Sequence, residues 1–164
     1  MIDSEDIINS VTAYLSEVVG AKSRINNTID AVNTDKGDTL LPNVSNDIVL
    51  GQRSKDMNIF KNGNLNLDVY GETKFQSNYD AVAKHYTIEV SYVIHDNFSN
   101  DVFLKALRME RVITDVMQDY FKDVRGAGFM VGEMESSFTP ERVLLGNSGY
   151  KAIKSGVVYN FILH

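Results

Sequence analysis

The sequence predicts an α+β domain: a mixed, mostly antiparallel β-sheet flanked by an N-terminal helix and a long central helix. Three observations carry that expectation. Tyr86, Ile88, Val90, Tyr92 and Ile94 alternate with polar Thr87, Glu89 and Ser91, the period-2 pattern of a half-buried strand. After a polar break, Val102, Phe103, Ala106, Leu107, Val112, Ile113, Val116, Met117, Tyr120 and Phe121 recur at helical spacing, with the charged residues largely elsewhere. Val157, Tyr159, Phe161 and Leu163 alternate with Val158, Asn160, Ile162 and His164, so the closing strand is largely apolar on both faces and belongs in the centre of a sheet or under cover on both sides.

The elements follow in chain order. A first helix is expected over residues 4–19, capped by Asp3 or Ser4, with Glu5 and Asp6 placed to meet the positive end of its dipole. Ile7, Ile8, Val11, Leu15, Val18 and Val19 form its apolar stripe, and Gly20 ends it. Residues 21–46 lose all periodicity. Asn26, Asn27, Asn33, Thr34, Asp35, Lys36, Gly37 and Asp38 make the middle polar and Pro42 opposes helix, so the segment reads as a long polar loop or arm with a short helical continuation near 25–32. Residues 48–50 read as a short strand. Strands at 57–60 and 65–70 flank Asn62-Gly63, a hairpin signal, and Gly71 closes the second. Residues 72–84 are polar and ambiguous, with a helical turn near 79–83 as one reading.

The central strand at 86–94 comes next, and then the long helix, starting at Ser99 or Asn100 and running to about residue 121. Gly126 and Gly128 end that unit. Phe129, Val131 and Met134 point to another strand, Pro140 to a break, 142–145 to a short strand or turn, and Gly146-Asn147-Ser148-Gly149 to a turn before the final strand at 151–164.

The bulk numbers bound the class. A chain of 164 residues with 43% hydrophobic and 23% charged residues predicts one domain, 1–164, able to bury a core without staples. The chain has no cysteine, which excludes a disulfide framework and a thiolate zinc site and fits an intracellular origin. A net charge of -6 with scattered basic residues argues against a general nucleic-acid surface; Lys151 and Lys154 read as a solvated strand edge. The acidic start is the reverse of a secretion signal, and no apolar run approaches the roughly 20 residues that span a bilayer. The three sequons at Asn26, Asn43 and Asn97 therefore read as chance matches.

Reactive chemistry is sparse. His85 and His95 lie ten residues apart, which on one strand is about 33 Å, too far to share a metal, and His164 closes the sequence. Gly146-Asn147-Ser148-Gly149 has neither a nucleophile-elbow spacing nor a phosphate-cradle ending. Residues 33–38 and 96–101 resemble calcium loops only superficially, because the bidentate acid and convergent oxygens are missing. Glu133 and Glu135 read as a solvated strand face, and Met109, Met117, Met130 and Met134 as core and interface filler. No catalytic, cofactor-binding or metal-binding residue is assigned.

The element order, with its strand Tyr86-Thr87-Ile88-Glu89-Val90-Ser91-Tyr92-Val93-Ile94, its helix from Val102 to Ile113 and its closing strand from Ser155 to Leu163, resembles the tail terminator (tail completion) proteins of tailed bacteriophages. That resemblance implies a small α+β virion protein, not an enzyme, that assembles in the host cytoplasm as a ring, usually a hexamer. The ring caps the tail tube, ends its polymerisation and presents the head-joining surface. The implied partners are further copies of the chain, the tail tube protein, a neck or head-completion protein and, in a contractile tail, a sheath protein. Another connector or tube protein remains open, as does a small ligand-binding or enzymatic domain, for which Tyr70, His85, Tyr92 and His95 are the residues to inspect.

Overall fold

The computed structural model describes residues 4–44, 49–50, 65–78, 81–95, 100–124, 130–135, 141–145 and 150–163. They form an α+β fold of three helices and a mixed sheet, as the periodicities predict. The helices are α1 (Ser4–Ser16), α2 (Arg24–Lys36) and α3 (Asn100–Val124). The strands are β1 (Val18–Val19), β2 (Lys22–Ser23), β3 (Val49–Leu50), β4 (Leu65–Asn78), β5 (Ala81–His95), β6 (Met130–Glu135), β7 (Glu141–Leu145) and β8 (Tyr150–Leu163).

The main sheet runs β3-β4-β5-β8-β6, with β7 also on β8. Only β3 is parallel to its neighbour. The closing strand is central, as expected: β5 pairs along one side of β8, while β6 and β7 share the other, β6 opposite residues 158–162 and β7 opposite residues 150–154.

One face of this sheet carries the core. Tyr86, Ile88, Val90, Tyr92 and Ile94 are buried, and the register sets them beside Ile153, Ser155, Val157 and Tyr159 of β8 and Leu65 and Val69 of β4. α1 lies against β4, α3 against β8 and β5, and α2 against α3 and α1. Ile7, Val11 and Leu15 of α1 and Val102, Ala106, Met109, Val112, Ile113, Val116, Met117 and Tyr120 of α3 enter the same apolar cluster. On the opposite face Gly156 stands across from Ser91. A Cβ on Gly156 would meet the Ser91 Cα and the Val90 carbonyl oxygen at 3.0 Å, so two strands approach there as only glycine allows.

Several expectations are corrected. The first helix stops at Ser16, not residue 19. Val18 and Val19 leave it and pair with Ser23 and Lys22 in a small antiparallel hairpin, with the Arg24 amide closing onto the Glu17 carbonyl at 2.8 Å. β-branched valines followed by glycine favour that turn over another helical turn. In residues 21–46 the helical continuation expected near 25–32 is present and longer than expected, since α2 occupies 24–36, so less of the segment is loop than the sequence suggested. Ser23 caps the helix by accepting from the Asn26 amide, and Gly37, at φ 72°, ends it in the left-handed conformation, its N–H bonding to Thr34 and the next amide to Asn33.

The strand expected to close at Gly71 continues to Asn78, and 81–83 are strand, not a helical turn, because unbroken antiparallel pairing with β5 satisfies the backbone of this polar stretch. α3 begins at Asn100 and runs on to Val124. Phe103 and Leu107, assigned to its buried stripe, face outward. The proposed hairpin at 57–63, the glycines at 126 and 128, Pro140, the turn at 146–149 and His164 lie outside the described residues.

Candidate interaction surface

α2 turns polar side chains into a framework. Asn33 is buried, donates from Nδ2 to the Leu41 carbonyl at 2.8 Å and accepts from the Leu41 amide at 3.2 Å. Seven residues earlier, on the same helical face, Asn26 treats Val44 the same way, accepting from its amide at 2.7 Å and donating to its carbonyl at 3.4 Å. Two amides thus imitate a strand edge and tie residues 41–44 along the helix. Leu41 and Val44 are buried in consequence.

Carboxylates around α2 are neutralised in place. Arg108 of α3 donates to both oxygens of Asp38, reaching Oδ2 at 3.0 Å, and to Asn33 Oδ1 at 3.1 Å. Arg111 donates to Asp35 at 2.8 Å, and Lys22 to Asp30 at 2.6 Å. Each carboxyl titrates below its ordinary value: Asp30 through its bonds from Lys22 and then Asn43, Asp35 through Arg111, Asp38 through Arg108. Residues 33–38, which looked faintly like a cation loop, instead direct their carboxylates at two arginines.

A chain of edge-to-face rings, Tyr14, Tyr120, Phe121 and Tyr159, joins α1, α3 and β8 at centroid spacings of 5.3, 5.6 and 5.5 Å. The Arg24 guanidinium lies 4.1 Å from the Tyr14 ring centre and also binds Glu17. The Tyr14 hydroxyl donates to Asp123 at 2.7 Å, and burial together with that bond pushes its pKa up to about 12.

Sites weighed on the sequence do not converge. Tyr92 is buried with its hydroxyl donating to the Ala106 carbonyl at 2.8 Å, and burial raises its pKa far out of the range of a general base. His85 and His95 stand at opposite reaches of β5, across from Ile162 and Ala152 of β8. Tyr70 pairs with Glu89 in the β4–β5 ladder, and Glu135 with Val158 beside a register shift in β6. No three His, Asp or Glu side chains come together as metal ligands among the described residues. No helix there is long and apolar enough to cross a membrane.

What the surface does offer is apolar. Among the described residues, the large hydrophobic side chains left exposed are Val18 (69%), Val19 (47%), Phe103 (39%), Leu104 (54%) and Leu107 (57%). They make two patches, one on the β1–β2 hairpin and one on the outer face of the first two turns of α3. Beside the hairpin opens a shallow groove of about 480 Å³, lined by Asn27, Thr28 and Ala31 of α2 and Asp115, Gln118 and Asp119 of α3, with Val19 also in its lining. The sequence could not distinguish Val18, Val19, Phe103 and Leu107 from core, because all four extend expected helical stripes whose other members are mostly buried; Leu104 lay outside the expected stripe. Compared with known proteins, the chain matches no family model and no curated relative.

Proposed function

We propose that this chain is a structural subunit of a tailed-bacteriophage virion, forming a ring at the tail–neck junction that caps the tail tube, ends its growth and offers the surface for head joining. One observation carries the reading furthest: the amide and ion-pair contacts around α2 hold it to its neighbours, whereas Val18, Val19, Leu104 and Leu107 are large apolar side chains about half exposed or more. A protein that acts by docking needs this distribution; a catalyst needs convergent reactive groups. The element order that resembles tail terminators supports the same reading, and so does the acidic, cysteine-free composition. Further copies of the chain, the tail tube protein and a neck protein are the partners it calls for, and the virion is its site of action.

Size-exclusion chromatography with light scattering tests the proposal, alongside negative-stain microscopy of the protein with and without tail tubes. The expected species is a closed ring near six times the 18.4 kDa chain mass, seated on the tube end. A strict monomer at high concentration that leaves tube ends bare would overturn it. Labelling within the particle separates a terminator from a neighbouring neck or tube protein.

A further inference from the structure

The two ends of the main sheet are finished differently. At one end β6 and β7 are six and five residues long, and β6 is interrupted by a register shift between Val131 and Met134. Short or bulged strands keep a sheet edge from pairing with another chain. At the other end β4 is 14 residues long and pairs with β5 over its whole length without a shift, while β3 covers only Asp68 and Val69. From Tyr70 to Asn78 that edge has no strand partner among the described residues, and the stretch contains no proline. Half of its backbone N–H and C=O groups point away from β5.

We propose that this edge pairs with the same edge of a second copy, antiparallel about a two-fold axis at Phe75. The contact is isologous, so residue i meets residue j and j meets i. The register follows by elimination. β3 occupies the positions beside Asp68 and Val69, so a partner strand that runs to its own Asn78 can reach no further than Tyr70. A continuous sheet with both cores on one side pairs even residues with even and odd with odd. The longest such ladder that clears β3 sets Asn78 opposite Tyr70 and puts Lys74 opposite Lys74, like charges face to face. The next sets Asn78 opposite Glu72. There Phe75 meets Phe75, Thr73 meets Ser77 and Lys74 meets Gln76. Aromatic pairs and hydroxyl pairs are favourable across antiparallel strands, and in this register no two like charges stand opposite.

The contact goes beyond the ring reading and does not depend on it. A two-fold pairing joins single copies, or whole rings, in twos, and it cannot by itself propagate around a ring.

The test exploits the absence of cysteine from the chain. In the proposed register the two copies of residue 75 stand about 4.5–5.5 Å apart between Cα atoms, within the span of a disulfide. Residue 72 stands opposite residue 78, so its two copies are about 20 Å apart along the strands. Under mild oxidation of the full-length variants, Phe75→Cys is expected to form covalent dimer at least about 10-fold faster than Glu72→Cys, which reports random collision. The product is expected near twice the 18.4 kDa chain mass. Thr73→Cys and Ser77→Cys are expected to crosslink slowly alone and, when mixed, as fast as Phe75→Cys. These hydroxyl-to-thiol changes are mild, and they decide the matter if a thermal melt shows Phe75→Cys to be unfolded. Crosslinking at 75 no faster than at 72 in folded protein overturns the inference. Fast crosslinking at 75 with a slow mixture of the 73 and 77 variants means another register and overturns it too. Wild-type rings without these crosslinks remove this inference and leave the tail–neck reading standing; crosslinked pairs from a protein that never forms rings do the reverse.

Discussion

Asn33 uses both ends of its amide on the backbone of Leu41 and shares its oxygen with Arg108. Truncating it leaves a buried N–H and C=O unanswered, so Asn33→Ala is expected to cost about 2–3 kcal/mol in urea denaturation. Asn26→Ala, at the less buried end of the ladder, is expected to cost less. Gly156 fails for the opposite reason, excess volume. A methyl there meets backbone atoms of Val90 and Ser91, which cannot swing aside, and Gly156→Ala is expected to destabilise by about 1–3 kcal/mol in the same assay. Neither residue could be ranked from the sequence. Asn33 stood in a polar run that reads as loop, and Gly156 inside an apolar strand whose cross-strand partner only the register identifies.

At the level of elements, periodicity found those whose burial is one-sided. α1, α3 and β5 announce themselves by an apolar face that meets the core, and β8 by apolar residues on both faces, Val157, Val158 and Tyr159 all being buried. α2 was legible only in part, near 25–32, because Ile25, Ile29 and Val32 are its buried apolar anchors, and amide pairs and ion pairs supply what hydrophobic contact does not. The distal half of β4 escaped because backbone pairing, not side-chain pattern, holds it. The exposed patches were legible only as apolar residues, because which of them face solvent depends on where α1 ends and on tertiary packing.

The α2 ion pairs also make a pH statement. Asp30, Asp35 and Asp38 titrate lower folded than unfolded, so between those two values the unfolded chain binds protons that the native one does not. Their contribution is whole above the ordinary carboxylate pKa of about 3.9 and fades as pH falls through the depressed native values. The melting-temperature gap between wild type and an Asp35→Asn/Asp38→Asn variant is therefore expected to be constant above about pH 5 and to close below about pH 4. These pairs are solvent-exposed, so the gap is small and salt shrinks it.

For the whole molecule, salt should act in the other direction on assembly. Each copy carries a net charge of -6, so screening is expected to lower the repulsion between copies. Sedimentation is expected to show ring formation strengthening by a few-fold as ionic strength rises from about 0.05 to 0.5 M; a ring that dissolves with salt would instead mark an interface of ion pairs. The position of β8 has a last consequence, for biosynthesis. β6 and β7 have it as their strand partner in the sheet, and β5 needs it along one whole edge. A ribosome that has not yet translated codons 150–163 therefore holds a polypeptide whose sheet is unfinished. Incomplete products of translation lack the strand that β5, β6 and β7 pair with, and are expected to expose unpaired strand edges.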